Sequence, residues 1–290
     1  VSEWFQLFVT AATNAAIYAL IALSLVLVYR ASGIINFGVG YMATFAGIYF
    51  ANHSGKGNVT SLVMTLLAGA AIGIITYLVA VFVGERRQAS HAALAISCLG
   101  FGLVLDYFAG HFWAKQGFTT TPLWAGRFKV LDVTVTNQRL FTVIAAVVCF
   151  IVVFILLERT MVGWSLEAVA FRRSTASLYG VSVTLTLVLV WMLAGVLAAG
   201  AGALLTPVAS ISRPVALQLA VKGFASAVVG GLGSVHGALA GAAAVAGAEA
   251  LFIRYVSTTY ASAFSFLLLF VVLAIRPQGI FGQQRQVQRT

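Results

Sequence analysis

Charge is what this sequence lacks most. Charged residues make up 8% of its 290 positions, against roughly 25% in a soluble globular domain. Seventeen Lys and Arg and seven Asp and Glu leave a net charge of +10. So few charged side chains cannot give a soluble body of this size its polar skin, which excludes a water-soluble enzyme and a disordered chain. Cysteine is scarce too. Cys98 and Cys149 both sit in apolar stretches, so they form no disulfide or metal framework and read as inert buried thiols. No GxxxxGK[ST] phosphate loop exists, because Gly55–Lys56 and Lys222–Gly223 lack the upstream glycine and the hydroxyl residue. Gly231–Leu232–Gly233 does not complete GxGxxG, since His236 stands at the third position. The four histidines, His53, His91, His111 and His236, fall in no HExxH or Cys/His cluster, so no metal site is expected. No nucleophile–base constellation is visible either. The expectation is a chain with no catalytic residue and no cofactor of its own.

What is present is apolar. Windows free of Lys, Arg, Asp and Glu run 4–29, 31–55, 57–84, 88–105, 140–157, 174–212, 223–248 and 255–275. Each approaches or exceeds the roughly 20 residues of a spanning helix. They are continuously apolar, unlike the alternating segments of a barrel, and in lipid the backbone must bond within its own segment. Spans are expected at about 6–29, 34–51, 60–83, 91–110, 140–157, 181–206 and 258–275. Only Glu3 precedes the first window, so 4–29 reads as a retained helix and not a cleaved signal. The arginines lie between spans and not on one face, which speaks for membrane orientation and against nucleic acid. Thr119–Pro122 and Val130–Val135 suggest a turn and a strand-like piece on the membrane surface.

Residues 163–180 read as one short helix outside the lipid, with Ser165 as N-cap, Glu167 in the first turn and Gly180 as the stop. Parity then constrains the rest. With 84–90, 158–180 and 276–290 on the cytoplasmic side, Arg30, Arg86, Arg87, Arg159, Arg172, Arg173, Arg276, Arg285 and Arg289 are inside. Lys56, Lys115, Arg127, Lys129, Arg139 and Arg213 are outside, a weak bias. The N-terminus is then extracytoplasmic and the C-terminus cytoplasmic. Under that arrangement 207–257 begins and ends outside. It must cross twice, hinged at Gly230–Gly237, or re-enter as broken helices, and such broken backbone points to a transport path. Gly237 and Gly241 form a GxxxG pair suited to close helix packing. The expected fold is all-α: a polytopic transmembrane bundle of about 8–9 passes, one domain over 1–290, with a broken or re-entrant glycine-rich segment near 214–250. Among intramembrane ionisable residues, Asp106 and Arg254 lie near span ends, where snorkelling suffices. Lys222 and Glu249 are the better functional candidates.

Several segments together resemble the LivH-type permease subunits of branched-chain amino-acid ABC importers. They are Tyr18–Ala19–Leu20–Ile21–Ala22–Leu23, then Ile34–Ile35–Asn36–Phe37, then Lys222–Gly223–Phe224–Ala225 through Val229–Gly230–Gly231–Leu232–Gly233–Ser234, and finally Arg276–Pro277–Gln278–Gly279–Ile280–Phe281–Gly282. The resemblance implies a subunit in a bacterial inner membrane, surrounded by lipid. Its implied partners are a second, LivM-like permease, two cytoplasmic ATPase subunits carrying ATP and Mg, and an extracytoplasmic substrate-binding protein. It also implies that 163–180 is the cytoplasmic coupling helix, with Glu167, Ala168, Ala170, Arg172, Arg173, Ala176, Tyr179 and Gly180 as the ATPase-coupling residues. Candidates for the translocation pathway are Asn36, Phe37 and Gly38, with Lys222, Phe224, Gly230, Gly231 and Gly233. For the glycines the alternative is tight packing, and for Asn36 a helix cap. One departure stands out: where such permeases continue Ile-Asn-Phe with a small residue, His, Gly and an acid, this chain has Gly38–Val39–Gly40–Tyr41. A stand-alone ion-coupled transporter or channel built on Lys222 and Glu249 is the competing reading.

Overall fold

The computed structural model describes residues 2–54, 58–113, 117–130, 133–258, 260–275 and 279–281. The turn around Lys56, the stop at Arg276–Pro277 and the basic tail with Arg285 and Arg289 lie outside the described residues. The chain is a polytopic bundle of α-helices, and among the described residues six helices are long and apolar enough to cross a membrane. In order, the helices are α1 (Ser2–Ser32), α2 (Val39–His53) and α3 (Asn58–Thr76). The last continues through a wider π-helical turn (Tyr77–Phe82) into α4 (Val83–Arg86). After α5 (His91–Phe112) comes a hairpin of β1 (Arg127–Val130) and β2 (Val133–Thr136). Then follow α6 (Asn137–Arg159), α7 (Met161–Phe171), α8 (Arg173–Leu178), α9 (Val183–Leu205), α10 (Val215–Gly230), α11 (Val235–Tyr255) and α12 (Ala261–Ile275).

α1 is the axis. From Ala16 to Val28 every residue is buried, and all but Tyr18 and Ser24 are apolar. A helix without a polar face needs partners on all sides, and α6, α9, α10 and α11 supply them. By contrast, α6 turns Ile144, Val147, Val148, Ile151, Val152 and Ile155 outward as an apolar, lipid-facing stripe. Small residues set the closest crossings. A Cβ on Gly73 would collide with the Trp191 carbonyl, and one on Gly195 with that of Gly69, so α3 and α9 touch backbone to backbone. Gly237 and Gly241 pack on Gly230 and Ser226 in the same way, as the GxxxG spacing predicted. Serines close the N-termini of three spans: Ser90, Ser182 and Ser234 accept from Ala93, Leu185 and Gly237 N–H respectively.

Three expectations need correction. Span two does not begin at Ile34: α1 ends at Gly33, whose φ of +74° favours glycine, and 34–38 is not helical. Ser32 Oγ accepts from Ile34 N–H at 3.3 Å and Asn36 Oδ1 from Gly38 N–H at 3.0 Å. These local bonds compete with the helix that apolarity alone suggested. Second, 163–180 is two helices and not one. α7 starts after Thr160, and Ser165 lies inside it; Gly163, where a Cβ would clash with the Leu157 carbonyl, lets its first turn pack on the end of α6. Arg172, extended at φ −158° and ψ 108°, separates α7 from α8. Gly180, at φ +81°, does end the element. Third, the strand-like piece expected at Val130–Val135 is present but wider, a two-stranded antiparallel pair that joins Arg127 with Thr136 through Val130 with Val133.

By parity, 207–257 either crosses twice or re-enters. α10 and α11 form an antiparallel hairpin whose turn, at Gly231–Ser234, lines one cavity with Tyr29 and Arg30 at the end of α1. From there α11 runs back along α1 until Arg254 meets Glu3 at 2.5 Å. The glycine turn is therefore at the end of the bundle and not at mid-depth. The non-helical backbone inside the bundle is 34–38 instead: Gly38 packs on the Cys98 carbonyl, two turns into α5.

Candidate functional site

At the centre of the bundle stands a closed network. Lys222 Nζ on α10 lies 2.5 Å from Glu249 Oε1 on α11, and Tyr18 on α1 donates its hydroxyl to Glu249 Oε2 at 2.8 Å. The Lys222 ammonium also stands 5.3 Å from the centre of the Tyr18 ring. Only 14% of the Lys222 side chain and 4% of the Glu249 side chain are exposed. Tyr18 is about 21 Å along α1 from Ser32, so both charges lie deep, where each needs the other. Tyr18 belonged to a recognised sequence segment, but nothing local marked it as the third member.

The predicted pathway residues divide into groups. Phe37 meets Phe224 edge to face at 5.5 Å, which brings the 34–38 break against α10. Asn36 is buried in the bend before α2, where its Oδ1 accepts from Gly38 N–H and its amide lies 3.5 Å from Met42 Sδ. Lys222 points away from this group, toward α1 and α11. Gly230 is a packing glycine, while Gly231 (φ +107°) and Gly233 (φ +101°) form the turn. That turn lines a cavity of about 640 Å³ with Arg30, Glu158, Glu167 and His236. The described C-terminal stretch closes on the turn from below: Ile280 and Phe281 N–H donate to Val229 and Gly230 C=O at 2.8 and 2.9 Å. These are carbonyls that the end of α10 would otherwise leave unpaired.

The coupling candidates are anchored on one side and open on the other. Arg30 Nη2 holds Glu167 Oε1 at 2.6 Å. Arg173 reaches Glu85 Oε1 at 2.9 Å and the Ser32 carbonyl at 3.3 Å. Ala176 is buried, as are Gly163, Leu166 and Val169, the inward stripe of α7. On the outward side, Phe171 is 91% exposed, Leu178 85% and Tyr179 82%, beside exposed Arg172 and Gly180. Ala168 and Ala170 flank the inward stripe, half-buried.

One constellation was passed over in the sequence. Asp106 does not merely snorkel from a span end. Arg213, in the connection before α10, takes its carboxylate with a guanidinium fork, Nε to Oδ1 at 3.1 Å and Nη2 to Oδ2 at 2.6 Å. The bond and charge of Asp106 hold Arg213 above its already high usual range. The pair borders a second cavity of about 650 Å³ with Tyr41, Leu103, Ser212 and Leu217. The signal was a stripe on α5, Gly102, Asp106 and Gly110, four residues apart on one helix face.

One buried charge pair, Lys222–Glu249, inside a bundle whose described residues include six helices long and apolar enough to span a membrane, defines a multi-pass membrane protein. Residues 7–273 match the family described as branched-chain amino acid transport system / permease component. The chain belongs to that family. It is 27% identical over 287 residues to the high-affinity branched-chain amino acid transport system permease protein LivH of Escherichia coli, covering 92% of this chain and 91% of that one. The same-named LivH of Salmonella typhimurium is 27% identical over 281 residues, with 92% and 91% covered. The corresponding permease protein BraD of Pseudomonas aeruginosa is 26% identical over 299 residues, with 97% and 96% covered. The chain is thus a transmembrane permease with the architecture of a transport component.

Proposed function

We propose that this chain forms half of the translocation pathway of an ATP-driven ABC importer for branched-chain amino acids or a related small organic solute. It works beside a second, LivM-like permease and has no catalysis of its own. Two ATPase subunits supply energy from ATP and Mg, and an extracytoplasmic binding protein delivers substrate. The chain sits in a bacterial inner membrane with α7 and α8 on the cytoplasmic side and the start of α1 on the other. The observation that carries the ATPase partnership is the build of α7–α8. Ion pairs to Arg30 and Glu85 tie these helices to α1 and α4. Meanwhile Phe171, Leu178 and Tyr179 stand out uncovered. A surface fixed to the spans on one side and apolar on the other suits a rigid contact that passes motion from an ATPase into the bundle.

The test is transport by the complete assembly carrying Glu167→Arg or Gly180→Trp. Loss of uptake with the two permeases still co-purifying supports coupling through this element, and normal uptake overturns it. The competing reading, an ion-coupled transporter built on Lys222 and Glu249, meets a network whose two charges already satisfy each other with Tyr18. Uptake by the purified single chain in liposomes under an ion gradient, with no ATPase present, would favour that reading instead.

A further inference from the structure

We propose that the cavity between α2, α5 and the start of α10 is a transit subsite for a zwitterionic α-amino acid with an apolar side chain. Asp106 receives the ammonium and Arg213 the carboxylate. This rests on the permease reading and adds to it the residues that recognise the solute.

The wall is built by one face of α5. At Gly102 a Cβ would stand 2.8 Å from Tyr41 Cδ2, and at Gly110 one would stand 2.7 Å from Arg213 Nη1. The two glycines are thus what lets the Tyr41 ring and the Arg213 guanidinium close on Asp106 between them. Among the described residues that line this cavity, Asp106 supplies the carboxylate and Arg213 the guanidinium. A carboxylate and a guanidinium side by side, at 2.6 Å, are the complement of an α-amino acid, whose own opposite charges are also adjacent. Leu103 and Leu217 add the apolar wall that an aliphatic side chain needs. The volume of about 650 Å³ lies within the roughly 300–1,000 Å³ of small-molecule sites.

The resting pair sets the strength of binding. Arg213 sits on a connection with half its side chain exposed, whereas Asp106 is fixed on a helix and 20% exposed. Arg213 is therefore the member free to swing. An entering zwitterion exchanges one ion pair for two, giving each charge a new partner of opposite sign. The resting pair is lost in the exchange, so net binding is weak, as a conduction site requires for release. A solute with only one of the two charges leaves Asp106 or Arg213 unpaired. The Lys222–Glu249 pair lacks these features: it borders neither cavity and has Tyr18 as a third partner.

The experiment uses the complete transporter, with Cys98 and Cys149 replaced and Leu217→Cys introduced as a reporter for a thiol reagent. Leucine is expected to slow labelling at least fivefold. Leucinamide, which lacks the carboxylate, and 4-methylpentanoate, which lacks the ammonium, are each expected to slow it less than twofold. Adding Asp106→Asn abolishes the leucine effect, with the melting temperature checked alongside. Equal protection by all three solutes, or none by leucine, overturns the subsite. ATP-driven leucine uptake is measured on the same preparation. Uptake without protection removes the subsite alone, and protection without ATP-driven uptake removes only the importer reading.

Discussion

Two ion pairs hold α10 in place, and they are built to opposite ends. The Lys222–Glu249 pair has almost no exposed surface, and Tyr18 occupies the second carboxylate oxygen. The Asp106–Arg213 pair is bidentate, yet half of Arg213 is open to a cavity. A closed pair gains from every partner its full Coulomb attraction in a low dielectric, and breaking it strands a charge there. An open pair gains less and can be taken apart. The difference assigns them separate duties: the first holds α10, α11 and α1 together, and the second faces traffic.

The largest expected effect breaks the closed pair. Glu249→Ala leaves the Lys222 ammonium buried without a counter-ion and is expected to destabilise the protein by about 3–5 kcal/mol. The check is thermal unfolding and folded yield in detergent. Replacing both partners, Lys222→Met with Glu249→Leu, is expected to recover most of that loss, because the uncompensated charge is gone. Next in size is Tyr18→Phe, which removes one hydrogen bond to a charged acceptor, about 1.5–3 kcal/mol. Its melting temperature should fall between those of wild type and Glu249→Ala. The open pair is expected to respond in reverse. Asp106→Asn should change stability by at most about 1 kcal/mol, as exposed pairs do, while uptake falls by more than tenfold. An equal loss of stability at the two sites would erase the comparison. The smallest stability change is expected from Glu167→Arg, whose own side chain is 60% exposed beside a partly exposed Arg30. Its melting curve should overlay that of wild type even where transport is lost.

Much of this architecture was legible because charge is so sparse. Glu85–Arg86–Arg87, Glu158–Arg159 and Arg172–Arg173 mark helix ends or breaks, and α3 to α4, α6 and α9 lie where the uncharged windows put them. Apolarity says nothing of backbone conformation, however. Ile34 and Ile35 are as apolar as the helix before them, so the break at 34–38 was invisible apart from Gly33. A hydroxyl suited to capping is likewise not unique: Ser165 looked right, but α7 begins earlier, after Thr160. Of the candidate site, Lys222 and Glu249 were readable as intramembrane charges. Their union, 27 residues apart, required the hairpin to be known. Asp106 and Arg213 are 107 residues apart, beyond any local pattern, and only the spacing of Gly102, Asp106 and Gly110 hinted at a shared wall.

The burial of α1 also has a consequence in time. Ribosomes deliver about 5–20 residues per second. The hydroxyl of Tyr18 waits for a carboxylate 231 residues further along the chain, a delay of roughly ten to fifty seconds at those rates. Ser24 waits for the Ala194 carbonyl across 170 residues. α1 is thus made long before the helices that enclose it, and until they arrive it sits in lipid as a span of its own. Its mostly apolar surface, the reason it ends in the middle, is also what lets it wait there.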